Sequence, residues 1–469
     1  MNKGHTVVIA PNEDGLGTSA WAVRLIKEIA RQRKDCVSKI RVVVATRRRE
    51  DFHKSIFADS SNGPAIEIVK LNEGANKIEL VKREGSTDAL ASIEAAILTY
   101  AESRREYRSE LSRSNALEDA DLVIDLGVPQ LVRSVYSENL NRAAKSKKMV
   151  AAATVFDHAW SLSLRKIAFS IPLPEALTDK VEDALVDIEN DEALAQEAII
   201  FSEPISPLDY HGHWTKLLGR SPQVIRGALG GPLATLEYVD DQELSDLRVE
   251  IEAGGRCPEK AYDRARRYAR ELLGINNDLP ALFVSGAGTS VWDKILKRMI
   301  DDYQINEPDY NVVIYSPAEV ESRGIVLSQQ ERVEKALLGN RQRLIFIDKI
   351  AGETHHILFP AFDLVLTRAG GGTVNDAIAC GAPLVLVEEP GMWQVEQIRQ
   401  SCLGMHIAEG VTLREFVDHP RGCVESQMGR LKDLKDQRER IRSISNHNEI
   451  RLIEKLLRSF SDGLCDALK

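Results

Sequence analysis

A strand-like run that ends at Arg368 leads directly into three glycines and a threonine. These are Gly370, Gly371, Gly372 and Thr373, and a helical pattern begins directly after them. Glycine lets the backbone pass close to a ligand, and a helix start offers N–H groups at a positive dipole end. Thr373 adds a hydroxyl donor and Arg368 a fixed positive charge. These groups suit a diphosphate, although a triple glycine is equally typical of a tight strand-to-helix turn.

Acidic and amide groups follow the glycines. Asp376 comes one helical turn later, where a carboxylate meets the two vicinal hydroxyls of a ribose. A buried strand then leads to further residues of this kind, namely Glu388, Glu389, Glu396 and Gln397. Carboxylates and amides pair with hydroxyl donors in planar geometry, which suits a sugar. Residues 361–400 therefore predict a site for a diphosphate joined to polyhydroxyl groups.

Apolar runs alternate with helical patterns in both halves of the chain. The predicted strands lie at 6–10, 40–45, 122–126, 149–156 and 198–201, and then at 281–284, 311–315, 344–347, 364–367 and 384–387. A long helical pattern covers 87–111. This alternation predicts parallel sheets covered on both faces, with ligands at the carboxyl ends of the strands.

The length of 469 residues indicates two domains, because one hydrophobic core stops growing at roughly 250–300 residues. The predicted parts are an N-terminal domain at 1–245, a helical connector at 246–278, a C-terminal domain at 279–445 and a last helix at 446–469. The predicted fold class is α/β, with two doubly wound Rossmann-like domains facing each other across a cleft.

The charge and the cysteines of the sequence bear on its partners and its compartment. The 61 Lys+Arg against 71 Asp+Glu give a net charge of −10, which disfavours non-specific attraction to nucleic acid or anionic membranes. The six cysteines are scattered without a metal-type CxxC pair, which fits a reducing cytoplasm. No signal peptide and no transmembrane run is expected. We expect a cytoplasmic protein of unknown oligomeric state, which visits a membrane from outside if its substrate is a lipid.

Residues 361–400 resemble the donor-binding region of GT-B glycosyltransferases. The resemblance is to the group of the peptidoglycan-lipid N-acetylglucosaminyltransferase and to the UDP-glycosyltransferases. The matching residues are Arg368, Gly370, Gly371, Gly372, Thr373, Asp376, Gly381, Pro383, Glu396 and Gln397. The resemblance implies that Asp376, where Glu is commoner, holds the ribose, and that the pair Glu396 and Gln397 holds the donor sugar.

Two other loops extend the resemblance. Ser285 and Gly286 begin a loop similar to the one that lies near the donor phosphates in this family. Gly15 and Gly17 belong to a loop that resembles the acceptor-side glycine loop. Many relatives carry a catalytic His just after that loop, whereas this chain has Thr18, whose hydroxyl is a poor base at neutral pH.

Three residues are candidates for the missing base. Asp14 lies in the glycine loop, and Asp157 and His158 follow the strand predicted at 149–156. A neutral imidazole is a competent base near pH 7, whereas an ordinary Asp, with a pKa of about 3.9, needs desolvation. A loop histidine with one structural hydrogen bond is an equally weighted interpretation of His158.

No metal site and no cofactor is predicted. His211 and His213 are close in sequence, but without nearby Cys or carboxylates at ligand spacing they are more typical of surface or packing residues.

The resemblance implies a hexosyl- or N-acetylhexosaminyltransferase. It would move a sugar from a UDP- or dTDP-linked donor to a small-molecule, lipid-linked or other acceptor, at a hydroxyl or amine, without metal and with inversion.

A nucleotide-sugar epimerase or hydrolase of the same fold and a non-catalytic nucleotide-sugar-binding protein stay open as alternatives. The 2-epimerases typically show Asp-Ser-Gly-Gly where residues 367–370 read Thr-Arg-Ala-Gly. A dinucleotide fingerprint needs a third glycine where Ala20 stands.

Overall fold

A computed structural model of the protein places most of the chain in two units. The first takes the described residues of Met1–Val81 and Asp88–Ile225, and the second those of Lys82–Thr87 and Arg226–Asn448. The structure describes residues 4–12, 17–33, 36–57, 63–72, 81–83, 86–155, 159–203, 208–226, 231–254, 257–285, 296, 299, 301–303, 308–315, 343–347, 355–389, 393–430, 438–439 and 441–442.

Strands and helices alternate along the described residues. The strands are β1 (His5–Pro11), β2 (Val37–Val44), β3 (Ala65–Lys70), β4 (Lys82–Arg83), β5 (Ser86–Thr87), β6 (Leu122–Leu126), β7 (Ala151–Val155), β8 (Glu197–Glu203), β9 (Gln223–Arg226), β10 (Ala281–Ser285), β11 (Asn311–Tyr315), β12 (Leu344–Ile347), β13 (Leu364–Arg368), β14 (Leu384–Val387) and β15 (Ala408–Val411). The α-helices are α1 (Gly17–Arg33), α2 (Arg47–Phe57), α3 (Ala89–Ser92), α4 (Tyr100–Arg113), α5 (Pro129–Ala144), α6 (Trp160–Ala168), α7 (Glu175–Glu192), α8 (Leu208–Leu218), α9 (Pro232–Tyr238), α10 (Leu244–Gly254), α11 (Glu259–Leu272), α12 (Gly371–Cys380), α13 (Trp393–Gly404), α14 (Leu413–Asp418) and α15 (Pro420–Gly429).

The sheet of the first unit reverses its strand order beside its first strand. The order is β3-β2-β1-β6-β7-β8-β9, and the pairs from β3 to β8 are parallel. Its central strands carry fully buried β-branched residues such as Val8, Ile9 and Ile124. The connections diverge between β1 and β6, so the ligand-binding position expected for such a sheet lies at their carboxyl ends, beside Asn12 and Gly127.

The sheet of the second unit has the same plan. Its order is β12-β11-β10-β13-β14-β15, with parallel pairing throughout. Strand order reverses between β10 and β13, where Ser285 lies opposite Thr367. The prediction of two doubly wound Rossmann-like domains is confirmed. Within the described residues, no helix combines the length and apolar character that a membrane span needs.

Two local features differ from the sequence pattern. The helical pattern at 87–111 divides into α3, a π-helical turn at Ile93–Ile97, and α4. In the π turn the N–H of Leu98 bonds to the carbonyl of Ile93, five residues back, and apolar spacing does not reveal this shift. The stretch predicted as a connector, 246–278, holds most of α10 and all of α11, and its described residues belong to the second unit.

A buried carboxylate holds α11 against the sheet. Asp363 precedes β13 and is 6% exposed. Its side chain accepts from Arg266 of α11 at 2.8 Å, from Arg438 at 2.8 Å and from the N–H of Ala281 at 3.0 Å. Burial alone would raise the pKa of Asp363, but the two arginines and the amide outweigh it and hold the pKa below its usual value. The stabilisation is therefore present at neutral pH and lost as the pH falls through the lowered pKa.

We expect Asp363→Ala to destabilise the second unit, because it leaves two guanidinium groups without their shared carboxylate. Both arginine side chains are about a third exposed and regain some hydration, so the expected loss is about 1–3 kcal/mol. Urea unfolding at pH 7 measures it. Asp418→Ala is the control, because Asp418 and Arg414 form an exposed pair at 3.8 Å. Equal effects of the two substitutions would contradict this account.

Candidate functional site

The switch point of the second sheet brings together most of the predicted donor residues. Ser285 ends β10 and is 2% exposed, and Arg368 ends the neighbouring strand β13. Gly370 is the N-cap of α12, and Gly371, Gly372 and Thr373 form its first turn. Because β10 and β13 are parallel and in register, these groups share one edge of the sheet. Gly286 lies outside the described residues.

The glycines at this edge adopt ordinary backbone conformations. Gly370 has φ −70° and ψ 128°, and a Cβ built on it would meet Nε of Arg368 at 3.9 Å, an ordinary contact. Gly371 and Gly372 are helical, where glycine is disfavoured by about 0.5–1 kcal/mol relative to alanine. Backbone geometry therefore does not require glycine here, in contrast to Gly381, which ends the helix at φ 74°.

The start of α12 is open to a ligand. Its N-cap residue, Gly370, has no side chain that could cap it, and the first turn, Gly371 to Thr373, is partly exposed whereas the helix is buried from Val374 onward. The first N–H groups of a helix have no partner within it. Three backbone donors with a positive dipole end thus lie at the switch point, which is an anion-binding arrangement.

Arg368 is not an isolated positive charge. Its Nη1 group donates to both carboxylate oxygens of Glu389, at 2.8 and 2.7 Å. Glu389 lies just past β14, is 5% exposed, and is brought alongside because Arg368 pairs with Val387. The positive charge predicted for a diphosphate is thus compensated by a buried carboxylate. The sequence places Glu389 at a strand end but does not reveal this pairing.

The predicted ribose and sugar ligands follow on α12 and α13. Asp376 is 5% exposed and lies one turn after Thr373. Glu396 and Gln397 lie in the first half of α13 and are partly buried. One oxygen of Glu396 accepts from Arg399 at 2.9 Å and from Gln400 at 2.6 Å. Its other oxygen is buried and has no hydrogen-bond partner within the structure as described.

The hydroxyl of Thr18, which follows the acceptor-side glycine loop, makes a hydrogen bond to the backbone. Its hydroxyl donates to the carbonyl of Asn12 at 2.8 Å, and the Asn12 amide donates to the carbonyl of Gly127 at 2.7 Å, across the switch point of the first sheet. Gly17 begins α1. Asp14, Gly15, Asp157 and His158 lie outside the described residues, so their roles stay predictions.

Asp125 is a functional candidate that the sequence interpretation did not single out. It lies in β6, is 3% exposed, and accepts from the hydroxyl of Thr154 at 3.0 Å and from the N–H groups of Val128 and Gly127. Burial raises the pKa of Asp125 to about 7, against the opposing effect of those donors. The available signal was a carboxylate in the otherwise apolar run 122–126, at the end of a strand.

A second buried acid contacts the start of α6. One oxygen of Glu192, the last residue of α7, accepts from the N–H groups of Trp160 at 2.6 Å and Ser161 at 3.3 Å, and its other oxygen is hydrogen-bonded to the Ser161 hydroxyl. Burial raises the pKa of Glu192 to about 8, and the charge of Asp125 adds to the increase. Ser161 Oγ also lies 2.8 Å from Nε2 of His213, whose ring thus has a protein partner.

Comparisons with known proteins identify the fold and not a family. The sequence matches no protein-family model, and no curated protein matches it.

Solved structures match nearly the whole chain. Medicago truncatula UGT71G1, complexed with UDP-glucose, is 12% identical with a TM-score of 0.57, covering 98% of this chain and 99% of that one. CalG4, the calicheamicin glycosyltransferase, is 17% identical with a TM-score of 0.52, and the match covers 97% of this chain and 99% of CalG4. A putative UDP-N-acetylglucosamine 2-epimerase from Listeria monocytogenes is 13% identical with a TM-score of 0.53, and the match covers 98% of this chain and 97% of that one. The protein has the GT-B fold, as its resemblance to GT-B glycosyltransferases predicted.

Proposed function

We propose that the protein is a glycosyltransferase that takes a hexosyl or N-acetylhexosaminyl group from a UDP- or dTDP-linked donor. The observation that carries the proposal is the triple glycine at the start of α12. These residues stand at the switch point in conformations that do not require glycine, beside backbone donors that suit a diphosphate. Close approach of a ligand to the backbone accounts for them.

In this proposal the donor site acts without a metal ion. Because Glu389 compensates Arg368, the negative charge of the diphosphate falls mainly to the N–H groups and dipole of α12. Fixed dipoles stabilise a leaving anion effectively in a site from which water is excluded. Asp376 would hold the ribose hydroxyls, and the buried oxygen of Glu396 that has no partner among the described residues would accept from a hydroxyl of the sugar.

The transfer needs a base for the acceptor. The acceptor hydroxyl or amine loses its proton and attacks the anomeric carbon with inversion, while the nucleoside diphosphate leaves. Asp125 is our base candidate among the described residues, because it lies at the carboxyl end of β6 at the switch point of the first sheet, and its pKa of about 7 suits proton abstraction near neutrality. Asp14, Asp157 and His158 are the competing candidates from sequence.

The shared fold is compatible with epimerisation or hydrolysis as well as transfer, since a putative 2-epimerase matches the chain as closely as the glycosyltransferases do. The absence of the Asp-Ser-Gly-Gly stretch favours transfer. Incubation of the protein with UDP- and dTDP-sugars, with and without an acceptor panel, distinguishes these activities by their products. Nucleotide-sugar binding without any turnover would identify the protein as a non-catalytic binder.

Gly370→Ala is expected to weaken UDP or dTDP binding about tenfold or more, because its methyl group occupies the space of the diphosphate. Stability should change little, since the new Cβ meets only an ordinary contact. Gly422→Ala is a matched control, since Gly422 also lies at a helix start with its nearest atom at 3.9 Å. Calorimetry with and without a chelator measures affinity. Unchanged affinity in Gly370→Ala would refute the diphosphate site, and loss of binding with chelator would refute metal independence.

Asp376→Ala is expected to reduce nucleoside diphosphate affinity by ten- to a hundredfold. The loss of hydrogen bonds from the ribose to a carboxylate is worth about 1.5–3 kcal/mol. Asp376→Asn, which keeps an acceptor oxygen, should lose less. Calorimetry on variants with native unfolding curves is the measurement, and full affinity in the folded Ala variant would place the ribose elsewhere.

Asp125→Asn is expected to lower turnover by about 10²–10⁴-fold with nucleotide affinity nearly intact, the usual contribution of a general base. His158→Ala, Asp157→Ala and Asp14→Ala serve as comparisons and should retain most of the turnover. Steady-state kinetics and calorimetry on all four variants provide the measurement. Full turnover in Asp125→Asn, with strong loss in one of the others, would return the role to that residue.

A further inference from the structure

The start of α6 is tied to one carboxyl group of a neighbouring helix. The side chain of Glu192 accepts from two successive backbone N–H groups, those of Trp160 and Ser161, through the same oxygen, and its other oxygen contacts the Ser161 hydroxyl. All three residues are at most 4% exposed. The N-cap residue of α6, Ala159, has no side chain that could accept a hydrogen bond from this helix end. Glu192 therefore determines where the first turn of α6 lies.

That first turn is connected to Asp125. The indole N–H of Trp160 donates to the carbonyl of Gly127 at 2.9 Å, and Gly127 lies in the turn after β6 with φ 88°. The N–H of the same Gly127 donates to the Asp125 carboxyl. A continuous path of hydrogen bonds thus runs from Glu192 through Trp160 and Gly127 to Asp125.

We propose that Glu192 is a positioning residue for Asp125, acting through Trp160 and Gly127, and that it does so in its protonated form. The inference rests on the proposed role of Asp125 in the acceptor-side chemistry. It assigns to Glu192 a task that involves no contact with substrate.

The polar contacts of Glu192 suit a neutral carboxyl group. One oxygen accepts both N–H groups, and the other can donate its proton to Ser161 Oγ, which in turn donates to Nε2 of His213 at 2.8 Å. His213 can accept because burial lowers its pKa, opposed by Glu189 and assisted by Lys216 and Arg165, and keeps the ring neutral. Every polar atom along this chain then has a suitable partner.

Ionisation of Glu192 would disturb this arrangement. The nearby charged group is Asp125, which repels a second negative charge, and Trp160 and Ser161 contribute only neutral donors. The neighbouring Asp191 on the same helix directs its carboxylate to Tyr100, Arg104 and Arg133, so these cations are already engaged. Among the described residues, a charge on Glu192 is thus left without a countercharge.

The pH dependence has a definite sign. The unfolded chain loses the Glu192 proton near its ordinary pKa of about 4.3, whereas the folded protein retains it to about pH 8. The folded state therefore binds more protons across this range, and stability decreases as the pH rises through it. Activity requires Asp125 ionised and Glu192 neutral, which predicts a bell-shaped profile whose two apparent pKa values belong to the coupled pair.

The test compares Glu192→Gln and Glu192→Ala in the full chain, with Glu182→Gln as control. Glu182 lies on the same helix, α7, and pairs with Arg165 at 2.6 Å, outside this chain of contacts. Urea unfolding between pH 6 and 9.5 and the pH profile of turnover are measured. Glutamine is a neutral isostere of the protonated carboxyl group. We therefore expect Glu192→Gln to keep the turnover at pH 7, to lack the decline of turnover at alkaline pH, and to lack most of the loss of stability as the pH rises. Ala should lower turnover at pH 7 by about 10–100-fold, the scale of a misplaced reacting group.

The two proposals fail in different ways. Unfolding requires no substrate, so an alkaline loss of stability that is unchanged in Glu192→Gln would overturn this inference whatever the turnover. Equal loss of turnover at pH 7 in Gln and Ala would also overturn it. If the native protein consumes no UDP- or dTDP-sugar at any pH, the proposed function fails, and with it the role assigned to Asp125. If Ala does not fold, the Gln variant and its pH profiles still decide the question.

Discussion

Parallel, in-register pairing of β10 with β13 is the constraint on which the donor-side edge depends. It sets Ser285 opposite Thr367 and starts α12 three residues beyond the strand end. The same registration through β14 brings Glu389 within reach of Arg368. A one-residue slip would turn every side chain of β13 to the opposite face, because side chains alternate along a strand. The charged pair, the open helix start and the glycines therefore occur together only in this register.

Buried carboxylates have different partners at the two ends of the second sheet. Before β13, Asp363 is surrounded by two arginines and an amide, which hold its pKa down and fasten α11 and residue 438 to the sheet. After β13, a single carboxylate compensates a single arginine beside an open helix end. The first arrangement joins two partly exposed arginines through one buried carboxylate and serves stability. The second leaves the helix dipole to act on whatever approaches, which is the behaviour expected at the ligand-binding edge of such a sheet.

Strands were largely predictable because they are short apolar runs with few alternatives. β11, β12 and β14 have the predicted bounds, and β10 and β13 are each one residue longer. The glycine loop was predictable because its residue types are unusual next to a strand. The Arg368–Glu389 pair was not, since 21 residues separate the partners and only sheet register joins them. The π turn at Ile93–Ile97 was missed for a related reason, because apolar spacing does not specify which carbonyl an N–H will meet.

The most consequential residues missed by the sequence interpretation are buried acids, Asp125 and Glu192. A lone carboxylate in an apolar run is ambiguous in sequence, since its proton affinity depends on donors contributed by other segments. Thr154 and Gly127 provide them for Asp125, and Trp160 and Ser161 for Glu192. Glycosyl transfer requires stabilisation of a leaving anion at one reacting end and removal of a proton at the other. The switch point of the second sheet offers N–H donors at a helix start, whereas that of the first holds Asp125, whose pKa burial raises to about 7. If the proposed function is correct, the two halves of the reaction draw on opposite electrostatics, and each follows from which polar groups its sheet buries.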